Sequence, residues 1–466
     1  MLEPMYGFDR RGFLRIGAAG VIGATLPLSR EALAGTLSEA SGTSELGSGR
    51  AKSVLIVMLS GGPSQLDMLD PKPDAPAEVR GEFAAIPTTI PGVAVCEHLP
   101  RFAAQTDRWC IVRSMAHREH NHLLATHVAL TGRPTPVPRG GSDLDRVETR
   151  NDFPNYAAAL GYVRPRTDGI PSGVSLPNYM IEGPLTWPGQ HAGFLGAKFD
   201  PWQIQGDPND KNFRASALAM PTDMDLPRLQ NRRALLQSIS RNDRQLTSAD
   251  ASSFREQQEV AFNLLTSGKM TEAFEITRES DENRDRYGRN KFGQSLLLAR
   301  RLVEAGVPIV QATMGIVQTW DTHVDNWGRL KKTLLPQLDQ GLAALTDDLI
   351  ASGLMEQTLV IVMGEFGRTP KISTLPGESI PGRDHWAHAY SALFAGAGVQ
   401  GGQVVGQTDA MAAYPLTRPW SPADLCTTIF SALGVSRDVQ LIDPLNRPHH
   451  LQNGIVISPL YTGREA

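Results

Sequence analysis

Five short segments of this chain are almost wholly apolar and rich in β-branched residues, the pattern of strands that are buried on both faces of a sheet. They span residues 53–59, 109–115, 307–314, 358–363 and 390–396. Segments with a helical apolar stripe lie between them, and two of these, 293–306 and 334–353, end at a glycine just before the next strand. This alternation predicts a doubly wound α/β fold with a mainly parallel sheet.

The domain organisation follows from changes in composition along the chain. Residues 51–460 are predicted to form one α/β domain. Within it, residues 221–290 are charged, helical in pattern and poor in strand signal, so we interpret them as a helical insertion and not as a second domain. Residues 35–50 are rich in glycine and serine without periodicity, which is typical of a flexible linker.

Residues 1–34 have the layout of an export signal. Arg10 and Arg11 precede a weakly hydrophobic run at 16–28, and small residues around Ala34 would suit a cleavage site. Paired arginines in this position indicate the twin-arginine export machinery. The apolar run is short for a membrane span, so we expect cleavage near Ala34, no stable membrane span afterwards, and a periplasmic or extracellular protein.

The overall composition excludes some classes of function. The formal net charge is -4, with 41% apolar and 20% charged residues, which is ordinary for a globular protein and gives no basic surface for nucleic acid. The three cysteines, Cys96, Cys110 and Cys426, form no Cys-x-x-Cys motif and do not indicate a disulfide framework. The sequence leaves undecided whether Cys96 and Cys110 form a disulfide bond in an oxidising compartment.

Polar side chains gather next to the predicted strands, where ligands bind in open α/β sheets. Seven of the eleven histidines occur there, four of them within residues 117–127. The set comprises Ser64 and Lys72, the histidines at 117–127, Asp321 and His323, Glu365 and Arg368, and Arg383, Asp384, His385 and His388. Mixed imidazole and carboxylate groups suit zinc or manganese, and calcium if oxygen ligands dominate.

Single members of this set have simpler interpretations. His127 shares a helical face with leucines and could be a hydrogen-bonded core residue. Ser64 could cap a helix after a tight turn. The recurrence of such residues at five strands is what favours one shared site.

Five motifs in order resemble the DUF1501 family of exported bacterial proteins: SGGPSQLDMLDPKP, RYGRNKFGQSLLLARRLVEAGVPIV, WDTHVDN, TLVIVMGEFGRTP and GRDHW. The resemblance covers about residues 50–455. The family is placed with the alkaline phosphatase and sulfatase superfamily, whose members use metal-assisted phosphoryl or sulfuryl transfer. The resemblance therefore implies the alkaline phosphatase-like fold. The activity does not follow from the fold alone, because one fold hosts many functions.

The resemblance also implies roles for individual residues. Thr131-Gly132-Arg133 matches the end of the sulfatase nucleophile segment, which puts His122 at the nucleophile position. Glu365-Phe366 stands where the superfamily has an Asp-His pair, and Ser60 where it has an aspartate. The implied metal ligands are Asp321, His323, Glu365 and His385; the implied catalytic groups are His122, Ser64 and Arg368, with Lys72 and Arg383 binding an anionic substrate.

Two functions remain open at this stage. The first is an exported metal-dependent hydrolase of phosphate or sulfate esters, small or on a glycan. A metal-bound water or a recruited Ser64 would replace the usual covalent nucleophile, and His122 would be a metal ligand or an acid–base group. The alternative is a non-catalytic, metal-containing protein that binds an anionic glycan or another extracytoplasmic partner. A redox protein is disfavoured, because the sequence has no cysteine cluster and no Gly-x-Gly-x-x-Gly after a strand.

Overall fold

The computed structural model describes residues 47–135, 150–182, 185–213, 226–242, 268–316 and 319–463. They lie in one compact unit that spans Glu45–Ala466. The predicted signal peptide, residues 1–34, and residues 35–46 of the predicted linker lie outside the described residues.

An eight-stranded sheet forms the centre of the fold. In chain order its strands are β1 (Ser53–Met58), β2 (Cys110–Met115), β3 (Gly173–Leu176), β4 (Trp202–Gln203), β5 (Ile309–Thr313), β6 (Thr358–Met363), β7 (Tyr390–Ala395) and β8 (Gln403–Val405). Their order across the sheet is β8-β2-β7-β6-β1-β5-β3-β4. Neighbouring strands pair in parallel, except that β7 runs antiparallel to both β6 and β2. The predicted mainly parallel α/β sheet is confirmed, with β1 between β5 and β6.

Helices cover both faces of this sheet. They are α1 (Ala77–Arg80), α2 (Pro100–Ala103), α3 (His122–Thr131), α4 (Tyr156–Val163), α5 (Leu226–Asn242), α6 (Gly268–Phe274), α7 (Asp281–Tyr287), α8 (Lys291–Glu304), α9 (Asn326–Arg329), α10 (Leu335–Ala351), α11 (Pro422–Ala432) and α12 (Pro459–Thr462). A π-helical turn at Leu330–Leu334 joins α9 to α10. Short 3-10 turns occupy Thr106–Arg108, Gly193–Leu195, Ala197–Phe199, Ile276–Arg278 and Leu354–Gln357.

The core has two apolar layers because successive side chains of a strand point to opposite faces. Leu55 and Val57 of β1 belong to the layer that contains α8 and α10. Val54 and Ile56 belong to the other layer, which contains residues of α3, α4 and α11. All six residues of β1 are buried, which explains the continuous apolar run of its sequence.

Short hairpins outside the central sheet and the predicted helical insertion complete the fold. Four two-stranded hairpins pair Ala85–Pro87 with Ala94–Cys96, Ile181–Glu182 with Leu185–Thr186, Gly367–Arg368 with His385–Trp386, and Gln440–Ile442 with Pro448–His450. Of the predicted insertion at 221–290, residues 226–242 and 268–290 are described, and they contain α5, α6 and α7.

The three cysteines are buried free thiols. Across the described ranges, no helix is long and apolar enough to cross a membrane.

Candidate metal centre

The polar segments singled out above meet at one edge of the sheet. β1, β2, β5 and β6 are parallel to one another, so the segments that follow them leave the sheet at the same edge. β7 runs in the opposite direction, so the segment that precedes it reaches that edge instead. The antiparallel strand therefore explains why residues 383–388, which come before a strand, join the others.

His122 is placed at the start of α3 by a helix cap. The side-chain oxygen of Asn121 accepts hydrogen bonds from the N–H groups of Leu123 and Leu124, which starts the helix at His122. The ring of His122 packs between aromatic rings, with centroid distances of 5.0 Å to Trp187 and 4.9 Å to Phe366. Its side chain is only 9% exposed, so its two nitrogens meet protein groups more than solvent.

The other histidines of the 117–127 cluster have different surroundings. His117 donates from Nε2 to the carbonyl oxygen of Glu365 at 2.6 Å. The ring of His120 lies against those of Trp386 and His388. His127 is fully buried within α3, as its core interpretation expects. Of the four, His122 contributes its ring to the centre.

Asp321 is the hub of the centre. Its Oδ1 lies 3.0 Å from Nε2 of His323 and 3.2 Å from Nε2 of His385. Its Oδ2 lies 3.4 Å from Nε2 of His122. Nη2 of the buried Arg368 donates to Oδ1 at 2.5 Å. Three imidazoles and one guanidinium thus surround a single carboxylate.

In each imidazole the outer nitrogen, Nδ1, which faces away from Asp321, donates to an acceptor that fixes the position of the ring proton. Nδ1 of His385 donates to the carbonyl oxygen of His120 at 2.7 Å, and a carbonyl can only accept. Nδ1 of His323 donates to Oδ1 of Asp384 at 2.7 Å. In the neutral form, both rings therefore direct the lone pair of Nε2 toward Asp321.

The same arrangement holds for His122. Its Nδ1 donates to Oε1 of Glu365 at 2.8 Å. Its Nε2 is buried and, within the residues described, makes no hydrogen bond. Ligand atoms of His122, Asp321 and His385 all lie within 4.8 Å of one another. These two nitrogen donors and one carboxylate, with His323 beside His385 and Asp321, fit a divalent cation such as zinc.

The charges of the centre are strongly coupled. Burial opposes ionisation of Asp321, yet the neighbouring imidazoles and the charge of Arg368 hold its pKa well below its usual range. Burial lowers the pKa of His122, but the carboxylates of Asp321 and Glu365 outweigh burial and raise that pKa to about 8. A protonated His122 can therefore balance Asp321, and a bound cation would replace that proton because metal ligands must be deprotonated.

Comparison with known proteins gives the family. Residues 51–460 match the profile of a family described as "Protein of unknown function (DUF1501)". The chain belongs to the DUF1501 family. No curated protein sequence matches it. The family resemblance that the five motifs indicate is thus confirmed.

Solved structures similar to this DUF1501 chain share little sequence with it. Ps i-CgsB is 13% identical with a TM-score of 0.41, over 88% of this chain and 76% of that one. A protein in the alkaline phosphatase superfamily from Vibrio parahaemolyticus is 10% identical with a TM-score of 0.35, over 84% and 68% of the two chains. The phosphonate monoester hydrolase SpPMH from Silicibacter pomeroyi is 13% identical with a TM-score of 0.34, over 89% and 77%.

Glu365 occupies a different place in the DUF1501 chain from the ligand position expected of it. Its two carboxylate oxygens accept from the N–H of Gly61 at 2.9 and 3.1 Å, and Oε1 also accepts from His122. The side chain is fully buried behind the imidazole. In this geometry Glu365 holds His122, and His122 presents the nitrogen to the centre; the ligand role of Glu365 stays a prediction.

Ser64 and Arg383 meet at another carboxylate, that of Asp67. Ser64 Oγ donates to Asp67 Oδ2 at 2.6 Å, and Arg383 Nε donates to the same oxygen at 2.7 Å. The remaining N–H groups of Arg383 donate to Asp67 Oδ1 and to backbone carbonyls. Both side chains are buried. Both are thus engaged in a buried network around Asp67, and their roles as nucleophile and substrate-binding group stay predictions.

Lys72 and Arg368 are also held by the protein. Nζ of Lys72 lies 3.0 Å from Asp70, which also contacts Arg113 and Thr408. Lys72 is thus paired away from Asp321, and its role in substrate binding stays a prediction. Arg368 does join the centre, but is fully buried and also donates to the carbonyls of residues 61, 62, 320 and 383. It ties these loops together around Asp321.

Asp384 is a side chain of the centre for which the sequence predicts no role. It stands between two residues that were assigned, and an Asp-His pair in sequence does not show which histidine the aspartate contacts. In the structure it contacts His323, 61 positions away, and not its neighbour His385.

Proposed function

We propose that this protein holds one divalent cation, with zinc and manganese preferred over calcium, and uses it to hydrolyse phosphate or sulfate esters outside the cytoplasm. The observation that carries this proposal is the convergence of three Nε2 atoms, from His122, His323 and His385, on Asp321. Three nitrogen donors favour zinc, since calcium prefers oxygen ligands, and the carboxylate of Asp321 also suits manganese. The cation would supply Lewis-acid polarisation of a phosphoryl or sulfuryl oxygen.

A single cation fits better than a pair. Phe366 stands where the superfamily's Asp-His pair has its histidine. Its ring centroid lies 4.9 Å from that of His122 and 4.7 Å from that of His385. A hydrocarbon ring cannot ligate a metal, and Glu365 is engaged with Gly61 and His122. The donor groups therefore serve one position.

The protein groups favour direct attack by water. In the part of the chain that the structure covers, no serine, threonine or cysteine side chain hydrogen-bonds to Asp321 or the three imidazoles. The side chains of His323 and His385 are 25% and 22% exposed, so solvent and an ester can reach the centre. Arg368 lends positive charge from behind Asp321.

The test combines metal analysis with turnover. We expect one bound cation per chain by elemental analysis, and hydrolysis of an aryl phosphate or aryl sulfate that a chelator abolishes. His385→Ala and Asp321→Ala should lose cation and turnover together. His450→Ala, a change on an exposed hairpin, should keep both. Wild-type protein without bound cation after exposure to zinc and manganese would refute the proposal.

One observation weighs against turnover, and so favours the non-catalytic part of the alternative function, a metal-containing protein that binds an anionic glycan. The two cationic side chains expected to hold an anionic substrate, Lys72 and Arg383, are paired with Asp70 and Asp67. Bound cation with no turnover of either ester, together with binding of a sulfated oligosaccharide, would select this alternative.

A further inference from the structure

We propose that Asp384 is a positioning residue of the metal centre, which holds His323 as the Nδ1–H tautomer and directs its Nε2 to the cation. This inference rests on the proposed function, because it concerns the same centre. A neutral imidazole can carry its proton on either nitrogen, and only the Nδ1–H form leaves Nε2 free to bind a metal.

The hydrogen bonds of Asp384 hold its carboxylate in one orientation. Oδ1 accepts from His323 Nδ1 at 2.7 Å, and Oδ2 accepts from the hydroxyl of Ser373 at 2.8 Å. The backbone N–H of Asp384 donates to Thr369 Oγ1 at 3.0 Å. Both oxygens of the carboxylate are therefore in use as acceptors.

The backbone brings Asp384 to His323 by a close approach of two loops. Gly382 lies so near residue 323 that a Cβ there would be 2.1 Å from the His323 carbonyl oxygen. The N–H of Arg383 donates to the carbonyl of Thr322 at 3.2 Å. This contact sets Asp384 at the outer nitrogen of His323, while the next residue, His385, places its Nε2 2.9 Å from the inner nitrogen.

The expected consequence is a better preorganised and more basic ligand. A carboxylate on the outer nitrogen fixes the ring and raises its basicity, and loss of such a partner typically costs about 10- to 100-fold in metal affinity. Without Asp384, Nδ1 of His323 would face water, and both tautomers would be populated.

The experiment compares three variants. Asp384→Ala removes the acceptor, and Asp384→Asn keeps a neutral acceptor of the same shape. Glu378→Gln, an exposed change on the same loop, is the matched control. Cobalt(II) affinity is measured by competition with a chelator, and the visible spectrum of bound cobalt reports ligand geometry. We expect about 10- to 100-fold weaker binding and an altered spectrum for Asp384→Ala, a smaller loss for Asp384→Asn, and no change for the control.

A second readout needs no metal. Long-range nitrogen–proton NMR correlations in the metal-free protein report the tautomer of each histidine. We expect His323 to be protonated on Nδ1 in the wild type and to lose that preference in Asp384→Ala. An unchanged tautomer, or unchanged cobalt affinity in Asp384→Ala, overturns the inference. A wild type that binds no cobalt would instead refute the proposed function, and the tautomer result would still decide whether Asp384 sets the state of His323.

Discussion

Nε2 of His323 lies 2.9 Å from Nε2 of His385, and both face the same carboxylate oxygen of Asp321. The outer nitrogens of both rings donate their protons elsewhere, so two lone pairs point at each other in the neutral state. Such an arrangement is repulsive without a positive charge at its centre. A proton can supply that charge, and a divalent cation supplies more of it.

Removal of bound metal is therefore expected to destabilise the fold. A ligand that binds only the native state at 100 times its dissociation constant adds about 2.7 kcal/mol to the free energy of unfolding. We expect a chelator to lower the thermal unfolding midpoint of metal-loaded wild-type protein by calorimetry. In His385→Ala the chelator should have little effect. Equal midpoints of wild-type protein with and without chelator would contradict this expectation.

Gly382→Ala is expected to disturb both stability and the centre. The added Cβ would lie 2.1 Å from the His323 carbonyl oxygen and 2.4 Å from that of Thr322, and neither backbone group can move alone. Overpacking of this kind typically costs about 1–3 kcal/mol, and urea unfolding should show that loss together with weaker zinc binding. Gly268→Ala is the control, because nothing lies within 4 Å of its Cβ position. Wild-type stability of Gly382→Ala would show that the two loops separate easily.

His117 is expected to make stability depend on acid pH. Burial lowers its pKa from 6.5 to about 4, despite its hydrogen bond to the Glu365 carbonyl. The unfolded chain then binds more protons than the folded one between these values, so this contribution is present above pH 6.5 and is lost as the pH falls toward 4. Between about pH 7.5 and about pH 4.5 the loss is about 2–3 kcal/mol.

The variant His117→Gln isolates that contribution, because its amide can still donate to the carbonyl but does not titrate. Urea unfolding at the two pH values should show a smaller pH dependence for His117→Gln than for wild type. His450→Gln, on an exposed hairpin, should behave like wild type. The same pH dependence in all three proteins would assign the effect to other groups.

Export by the twin-arginine route predicts sensitivity to a conservative change. Replacing Arg10 and Arg11 by lysine keeps the charge but removes the arginine pair, and we expect the protein to stay in the cytoplasm. Cell fractionation and immunoblotting measure its location. Arg15→Lys, just outside the pair, is the matched control and should be exported. Continued export of the double variant would indicate the general secretory route.

The sequence predicts the central strands well and the sheet margins poorly. β1, β5 and β6 are buried on both faces, so burial alone dictates their apolar runs. β3 and β4 have four and two residues, too few for a pattern to stand out. The direction of β7 also escapes prediction, because its sequence would look the same in a parallel strand.

The sequence likewise predicts some features of the candidate site and not others. The sequence determined which residue types stand at the ends of the central strands, and hence that Asp321 and His323 would lie at the edge where those strands end. His385 joins them only because β7 runs antiparallel, which the tertiary structure decided. Only the tertiary structure decided which carboxylate each arginine or histidine side chain contacts. Arg383 pairs with Asp67, 316 positions away, and Glu365 meets His122 across 243 positions. Local sequence carries strand and helix signals because those depend on nearby residues, whereas charge pairing depends on distances that exist only once the sheet has assembled.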